Sequence, residues 1–356
     1  MSYVRPAIAA MTGYVPGEQP RGMKVVKLNT NEHAYSPSPN VLSAIEQAAK
    51  SSLRRYPDAM ATAFRIKAAD VLGATYPEIT PDWILCGNGS DDILTIVTRA
   101  FVGEGDVVRF ASPSYVLYET LAQIQGAPYD IVRYERDWSL GYEFTQPVDR
   151  LKLALLANPN SPSGTLLPPG EVAAIADALP CPLLVDEAYV DFAETSCLDL
   201  VRSNERVMVS RSLSKGYALA GLRFGYLVAQ PQMIKQLRKV KDSYNCDALS
   251  IAAATAAIDD QAWLAEHTAK IVATRGRLAD AMGDLGFAVT DSQANFVWAV
   301  HPTASHEAIY DHLKMSGVLV RYMQYPNWGD GVRVTVGSDD QISALLALLA
   351  QFFDTA

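Results

Sequence analysis

The chain has 356 residues, 49% of them hydrophobic and 19% charged, with 30 Lys+Arg against 39 Asp+Glu for a formal charge of −9. That length calls for more than one small core. The acidic balance excludes a general nucleic-acid binder, which needs a basic surface to displace counterions, and excludes attraction to anionic lipid. Residues 1–35, with Gly13, Pro16, Gly17, Pro20 and Gly22, read as an irregular arm. The stretch "SPNVLSAIEQAAKSS" predicts a helix with Val41, Leu42, Ile45 and Ala49 on one face. From about 53 to 230, short apolar runs ("DVVRF", "YDIVRY", "LKLALLAN", "CPLLVDEAY", "RVMVS") alternate with helical stretches. Runs such as Leu183–Val185 lack polar alternation, which suits strands covered on both faces and hence a largely parallel sheet in an α/β layer. Residues 231 to about 285 read as helical. A second unit follows with "ANFVWAV", a helix at 304–316, "GVLVRY", "GVRVTVG" and a closing helix at 339–353, a smaller α+β domain. The expected division is an arm at 1–35, a large domain at 36–255 and a small one at 256–356.

Cys86, Cys181, Cys197 and Cys246 are scattered without a C-x-x-C, which favours reduced thiols and a cytoplasmic protein. His33, His267, His301, His306 and His312 form no ligand spacing, so no metal is expected. Nothing near the N-terminus reads as a signal peptide, and no apolar run approaches the roughly 20 residues of a membrane span.

Four segments place polar residues at strand ends, where ligands of such sheets bind. In "GNGSDDILTIVTRAF", residues 87–101, Ser90 or Asp91 caps a helix whose free amides face an anion, or simply caps it. In "ANPNSPSGT", residues 157–165, Pro159 and Pro162 stiffen a loop bearing Asn158, Asn160 and Ser161. In "CPLLVDEAYVDF" an apolar strand delivers Asp186, a costly place for a carboxylate without a partner, with Tyr189 close by. In "SRSLSKGYALAGLRFGY", residues 210–226, Lys215 lies among apolar neighbours that would make it a nucleophilic amine, with Ser212 and Arg223 suited to a phosphate. Each segment alone has a bland reading as a cap, a turn or a solvated charge. Together, an amine, an acid, a phenol and an arginine at one sheet edge meet the needs of pyridoxal phosphate.

On these motifs, with "LNTNE", "RRYPD", "PSYVLY", "ANF" and "VRYMQYPNWGDGVRVTVG" in matching order, the chain resembles the fold-type-I, pyridoxal-phosphate-dependent aminotransferases, and among them those acting on histidinol phosphate. The "SLSK" to "GLRFGY" block is the most specific match. The resemblance implies that Lys215 captures the cofactor aldehyde and carries the proton, that Asp186 pairs with the pyridine nitrogen, and that Tyr189 bonds the ring oxygen. It implies that Tyr115 stacks on the ring, that Asn160 or Ser161 touches the ring oxygen, and that Ser90, Asp91, Ser212, Ser214 and Arg223 surround the phosphate. Tyr56 would reach the phosphate of a neighbouring subunit's cofactor, in a homodimer with shared sites. Arg321 and Arg333 would hold the anionic end of the substrate, with Tyr14 beside them and Asn31 also in the substrate site.

The implied reaction converts L-histidinol phosphate and 2-oxoglutarate to imidazole acetol phosphate and glutamate. An aromatic amino acid aminotransferase and a threonine-phosphate decarboxylase are the alternatives on this scaffold. A regulator that has lost catalysis is disfavoured by the retained lysine and aspartate, and a dinucleotide oxidoreductase by the lack of a G-x-G-x-x-G after a strand. Three departures from the family stand out. Ser161 precedes Pro162 where Asn is usual. His33 and Ala34 replace Asn-Pro in a segment expected near the substrate. Gly216 replaces a frequent Ala, a change expected to be silent.

Overall fold

Apolar runs without alternation become strands with a core on each side. In the strand Leu151–Ala157, Leu153 and Leu155 enter one core while Ala154 and Leu156 enter the other. The structure, a computed structural model, describes residues 3–13, 18, 25–51 and 53–354. Its strands are β1 (Val26–Lys27), β2 (Ile84–Gly87), β3 (Val107–Ser112), β4 (Tyr129–Arg133), β5 (Leu151–Ala157), β6 (Leu183–Asp186) and β7 (Val207–Ser212). Then come β8 (Gly225–Val228), β9 (Ala288–Val289), β10 (Phe296–Val300), β11 (Val318–Leu319), β12 (Arg321–Tyr325) and β13 (Gly329–Thr335).

Seven strands form the central sheet in the order β2-β8-β7-β6-β5-β3-β4. The pairs from β7 through β4 are parallel, and β8 runs antiparallel to both of its neighbours. The carboxyl ends of β3, β5, β6 and β7 therefore open on one edge. The expected α/β architecture, a mostly parallel central sheet with a smaller α+β unit, is the one observed. The four residues of β2 and of β8 were not anticipated, because each is a short run ending or starting at a glycine of a neighbouring motif.

The second sheet is antiparallel, ordered β12-β13-β10-β9, and encloses a third core with the helices Gln261–Asp284, His306–Met315 and Asp339–Asp354. β1 pairs in parallel with β11, Val26 against Val318, so the end of the arm is tied to this unit. The helical stretch after 231 is three helices, Pro231–Leu237, Ala248–Asp259 and Gln261–Asp284. Asp247 and Asp260 accept backbone N–H groups at the starts of the last two, which explains the breaks. In the helix Pro39–Ser51 the buried face runs through Val41 and Ala48, and Leu42 stays 54% exposed, contrary to the expected stripe. The helix packs on Ala248–Asp259 along that narrower stripe. Among the described residues, no helix is long and apolar enough to cross a membrane, and no group of His, Cys, Asp and Glu could hold a metal ion.

Candidate active site

The strand ends open on a cavity of about 680 Å³ that Asp186 and Lys215 line together, within the range of small-molecule sites. Asp186 closes β6 and is 4% exposed. Its carboxylate accepts from the Tyr118 hydroxyl at 2.9 Å, the Ser210 hydroxyl at 3.2 Å and the Ala188 amide at 3.2 Å. Burial pushes this carboxyl up to about 6; the bonds from Tyr118 and Ser210 oppose the rise and the nearby Asp91 adds to it. A buried acid aimed into a cavity, bonded by hydroxyls and lacking an ion pair among the described residues, is a socket for a protonated ring nitrogen.

Lys215 follows the end of β7, its Nζ donating to the Thr30 carbonyl at 3.3 Å and lying 5.6 Å from the centre of the Tyr189 ring. The Tyr189 hydroxyl accepts from Asn31 Nδ2 at 3.0 Å. Asn31 is itself fixed with its backbone in the left-handed region, its amide donating to Thr335 Oγ1 at 2.9 Å. Asn31 thus lines the cavity while holding the phenol.

At the other end lie Ser90, Ser212, Ser214 and Arg223. The helix Gly89–Phe101 points its amino end there, and Asn88 precedes it as the cap, so Ser90 and Asp91 sit in its first turn and do not cap it. Arg223 donates to Ser214 Oγ at 3.2 Å and to Asp91 Oδ2 at 3.0 Å, and the Tyr115 hydroxyl donates to Asp91 Oδ1 at 2.9 Å. A carboxylate offers an anion no donor; what Asp91 does is orient the guanidinium and the phenol that border the cavity.

Of the two loop candidates, only Ser161 lines the cavity. The Asn160 side chain is spent within its own loop, accepting from Ser114 and donating to the Pro113 carbonyl and Ser163, which removes it as a ring-oxygen contact. Arg321 and Arg333 face each other across β12 and β13 as directly opposed partners, and both line the cavity. Arg333 donates to Ser161 Oγ at 3.0 Å and to the Asn29 carbonyl at 3.1 Å. Like charges placed opposite one another in a sheet repel unless an anion lies between them. Tyr14 lies outside the described residues. Tyr56 does not line the cavity; it is 81% exposed and stacked on Tyr244 at 4.6 Å.

His33 does not approach the cavity. It is partly buried among Tyr35, Phe192, Trp263 and His267, and the loss of solvent lowers its pKa to about 4. Gly216 is not a neutral replacement either. A Cβ there would lie 2.6 Å from the Cβ and Cγ of Asp191, so an alanine needs the whole Asp191 side chain to move. Gly216→Ala should cost about 1–3 kcal/mol in chemical denaturation, the usual penalty for overpacking; a loss under about 0.5 kcal/mol would show that Asp191 yields freely. Sequence reasoning missed Tyr118, Ser210 and Thr30. Ser210 is the register partner of Asp186 in β7, and a serine inside the apolar run "RVMVS" was the available signal.

The family model for aminotransferase class I and II matches residues 23–349. The histidinol-phosphate aminotransferase of Rhodopirellula baltica is 55% identical over 97% of this chain and 94% of its own length. The chain belongs to the class I and II aminotransferases. Histidinol-phosphate aminotransferase 1 of Nostoc is 43% identical over 99% of both chains. The crystal structure of the Sinorhizobium meliloti histidinol-phosphate aminotransferase, in complex with pyridoxal-5'-phosphate, superposes with a TM-score of 0.90 at 28% identity, covering 100% of this chain and 98% of that one. This aminotransferase is therefore a fold-type-I, pyridoxal-phosphate-dependent enzyme. Its cavity fits the cofactor chemically, with a buried acid, an amine and an arginine beside a helix amino end.

Proposed function

We propose that this aminotransferase moves the amino group of L-histidinol phosphate to 2-oxoglutarate, in histidine biosynthesis. The observation that carries the choice of donor is the opposed Arg321–Arg333 pair on the cavity wall. Two guanidinium forks suit the phosphate of one substrate and a carboxylate of the other. When bound, pyridoxal phosphate supplies an aldehyde that carries the amino group and a ring that accepts the electron pair of the substrate's C–H bond. Asp186 keeps a proton on the ring nitrogen, Tyr189 and Ser161 hold the ring oxygen, and Tyr115 packs on the ring. Ser90, Ser212, Ser214 and Arg223 hold the phosphate, with Asp91 orienting Arg223. Lys215 Nζ would hold the cofactor and would take the proton from the amine-bearing carbon of the donor.

In this reading the large unit, residues 36–255, holds the cofactor and the small unit, 256–356, supplies the arginines, with the arm at 1–35 packing with the small unit and the active site. The working form is a homodimer in the cytoplasm in which Tyr56, 81% exposed and so accessible to a second copy, reaches the neighbouring subunit's cofactor phosphate. Steady-state rates with 2-oxoglutarate as acceptor test the donor. We expect kcat/KM for L-histidinol phosphate to exceed that for L-phenylalanine by at least about 100-fold, because a site built for two anionic contacts rejects a donor lacking the phosphate. A preference for phenylalanine, or release of carbon dioxide from threonine phosphate, would replace this reading.

A further inference from the structure

We infer that Trp328 is a positioning residue for the anionic end of the donor, acting through the hairpin that carries Arg321 and Arg333. The inference rests on the reading that this pair binds a phosphate. Trp328 sits at the tip of the β12–β13 hairpin, where a side chain is ordinarily exposed, yet it is 8% exposed. Its indole Nε1 donates to the Tyr134 carbonyl at 3.0 Å, and its ring centre lies 4.2 Å from that of Trp138. The Arg136 guanidinium stands 5.4 Å over the ring, and Arg133 donates to the Pro326 carbonyl at 3.1 Å. Arg133 ends β4, the edge strand of the central sheet, and Tyr134, Arg136 and Trp138 follow it directly. The hairpin is thus rooted in the small sheet and pinned at its tip to the large one.

The space between root and tip is filled. Arg321, Met323 and Tyr325 alternate on one face of β12, and both arginines and Met323 line the cavity. Trp298, the register partner of Arg333 in β10, lies on the same side and packs edge-on to Trp138 at 6.3 Å. It does so because position 331 is glycine; a Cβ there would be 2.5 Å from the Trp298 ring. Tyr325 joins this floor, 6.3 Å from both Trp298 and Trp328. An aromatic block from both sheets therefore fixes how far the arginine pair stands from Lys215. Rigid forks bind without the entropic cost of ordering them.

The test uses the holoenzyme with Trp328→Leu, Trp328→Phe and Arg136→Gln. For Trp328→Leu we expect KM for L-histidinol phosphate to rise about 10-fold or more, with kcat within about three-fold. The competitive inhibition constant of inorganic phosphate should rise in parallel, while kcat/KM for L-histidinol, which has no phosphate, should change by less than about three-fold. Trp328→Phe, which keeps a ring but loses the bond to Tyr134, and Arg136→Gln should give smaller shifts in the same two constants; they decide the matter if the leucine variant fails to fold. Unchanged constants, or equal losses for L-histidinol and its phosphate, would overturn the inference. A wild-type enzyme inactive on L-histidinol phosphate would sink the proposed donor instead, and inhibition by inorganic phosphate against whichever donor it uses would still decide the role of Trp328.

Discussion

Replacing Lys215 by alanine should lower turnover by at least about 10⁴-fold, since it removes both the covalent and the proton-transfer contribution, and should remove the visible absorption band that the protein acquires with pyridoxal phosphate. The cavity offers no substitute. Among its described lining residues Lys215 is the sole lysine, and none is a histidine. Lys27, close in sequence to the lining residues Asn29, Thr30 and Asn31, is no rival, since its Nζ is bound to Glu32 and Thr30. Stability should hardly change, within about 1 kcal/mol, because the one hydrogen bond lost is to the Thr30 carbonyl from a half-buried side chain. The band and the rate separate the chemistry from folding. A Lys215→Ala protein that keeps the band, or more than about one part in a hundred of wild-type turnover, would remove Lys215 from the mechanism.

The central sheet was legible because strands buried on both faces read as unbroken apolar runs, with Asp186 ending one of them and Lys215 three residues past the strand Val207–Ser212. What stayed hidden depends on register and on loop geometry. Nothing in "PSYVLYET" shows that Tyr118 reaches Asp186, since that contact needs the helix Leu117–Gln125 to lie against the end of β6. Asn160 and Ser161 are equivalent on paper, and the loop decides between them by consuming every polar group of the first. His33 read as a substrate neighbour because of where it falls in the arm, but the aromatic surface of Trp263 and His267 draws it away. "YPNWGD" carries no pattern that tells where its tryptophan goes. Only the tertiary structure reveals that its tryptophan is buried against the other sheet.

Asp186→Asn should act with opposite signs on stability and on activity. In the cofactor-free protein, burial raises this carboxyl from 3.8 to about 6. Below about pH 4 the folded and unfolded chains both hold the proton, and burial of the acid carries no charge penalty. Between about pH 4 and 6 the unfolded chain releases its proton first, so stability falls as pH rises; above 6 the loss levels off at about 3 kcal/mol, the worth of roughly two pKa units. An asparagine cannot ionise. The cofactor-free variant should therefore exceed wild type in stability above pH 6 by up to that amount, less about 1 kcal/mol for a poorer bond from Tyr118, and the advantage should vanish by pH 4. Activity should move the other way. An amide gives the ring nitrogen no negative charge to keep its proton, and breaking a buried charge pair costs about 3–5 kcal/mol, or roughly 10²–10⁴-fold in rate. Urea titrations of the cofactor-free proteins from pH 4 to 8, beside turnover of the loaded enzymes, measure both. A variant that is less stable at every pH, or one that keeps its activity within about ten-fold, would mean that the acid is part of the scaffold and not the partner of a positive ring; only an acid that the folded protein holds at a cost, for a ligand that repays it, gives the two signs together.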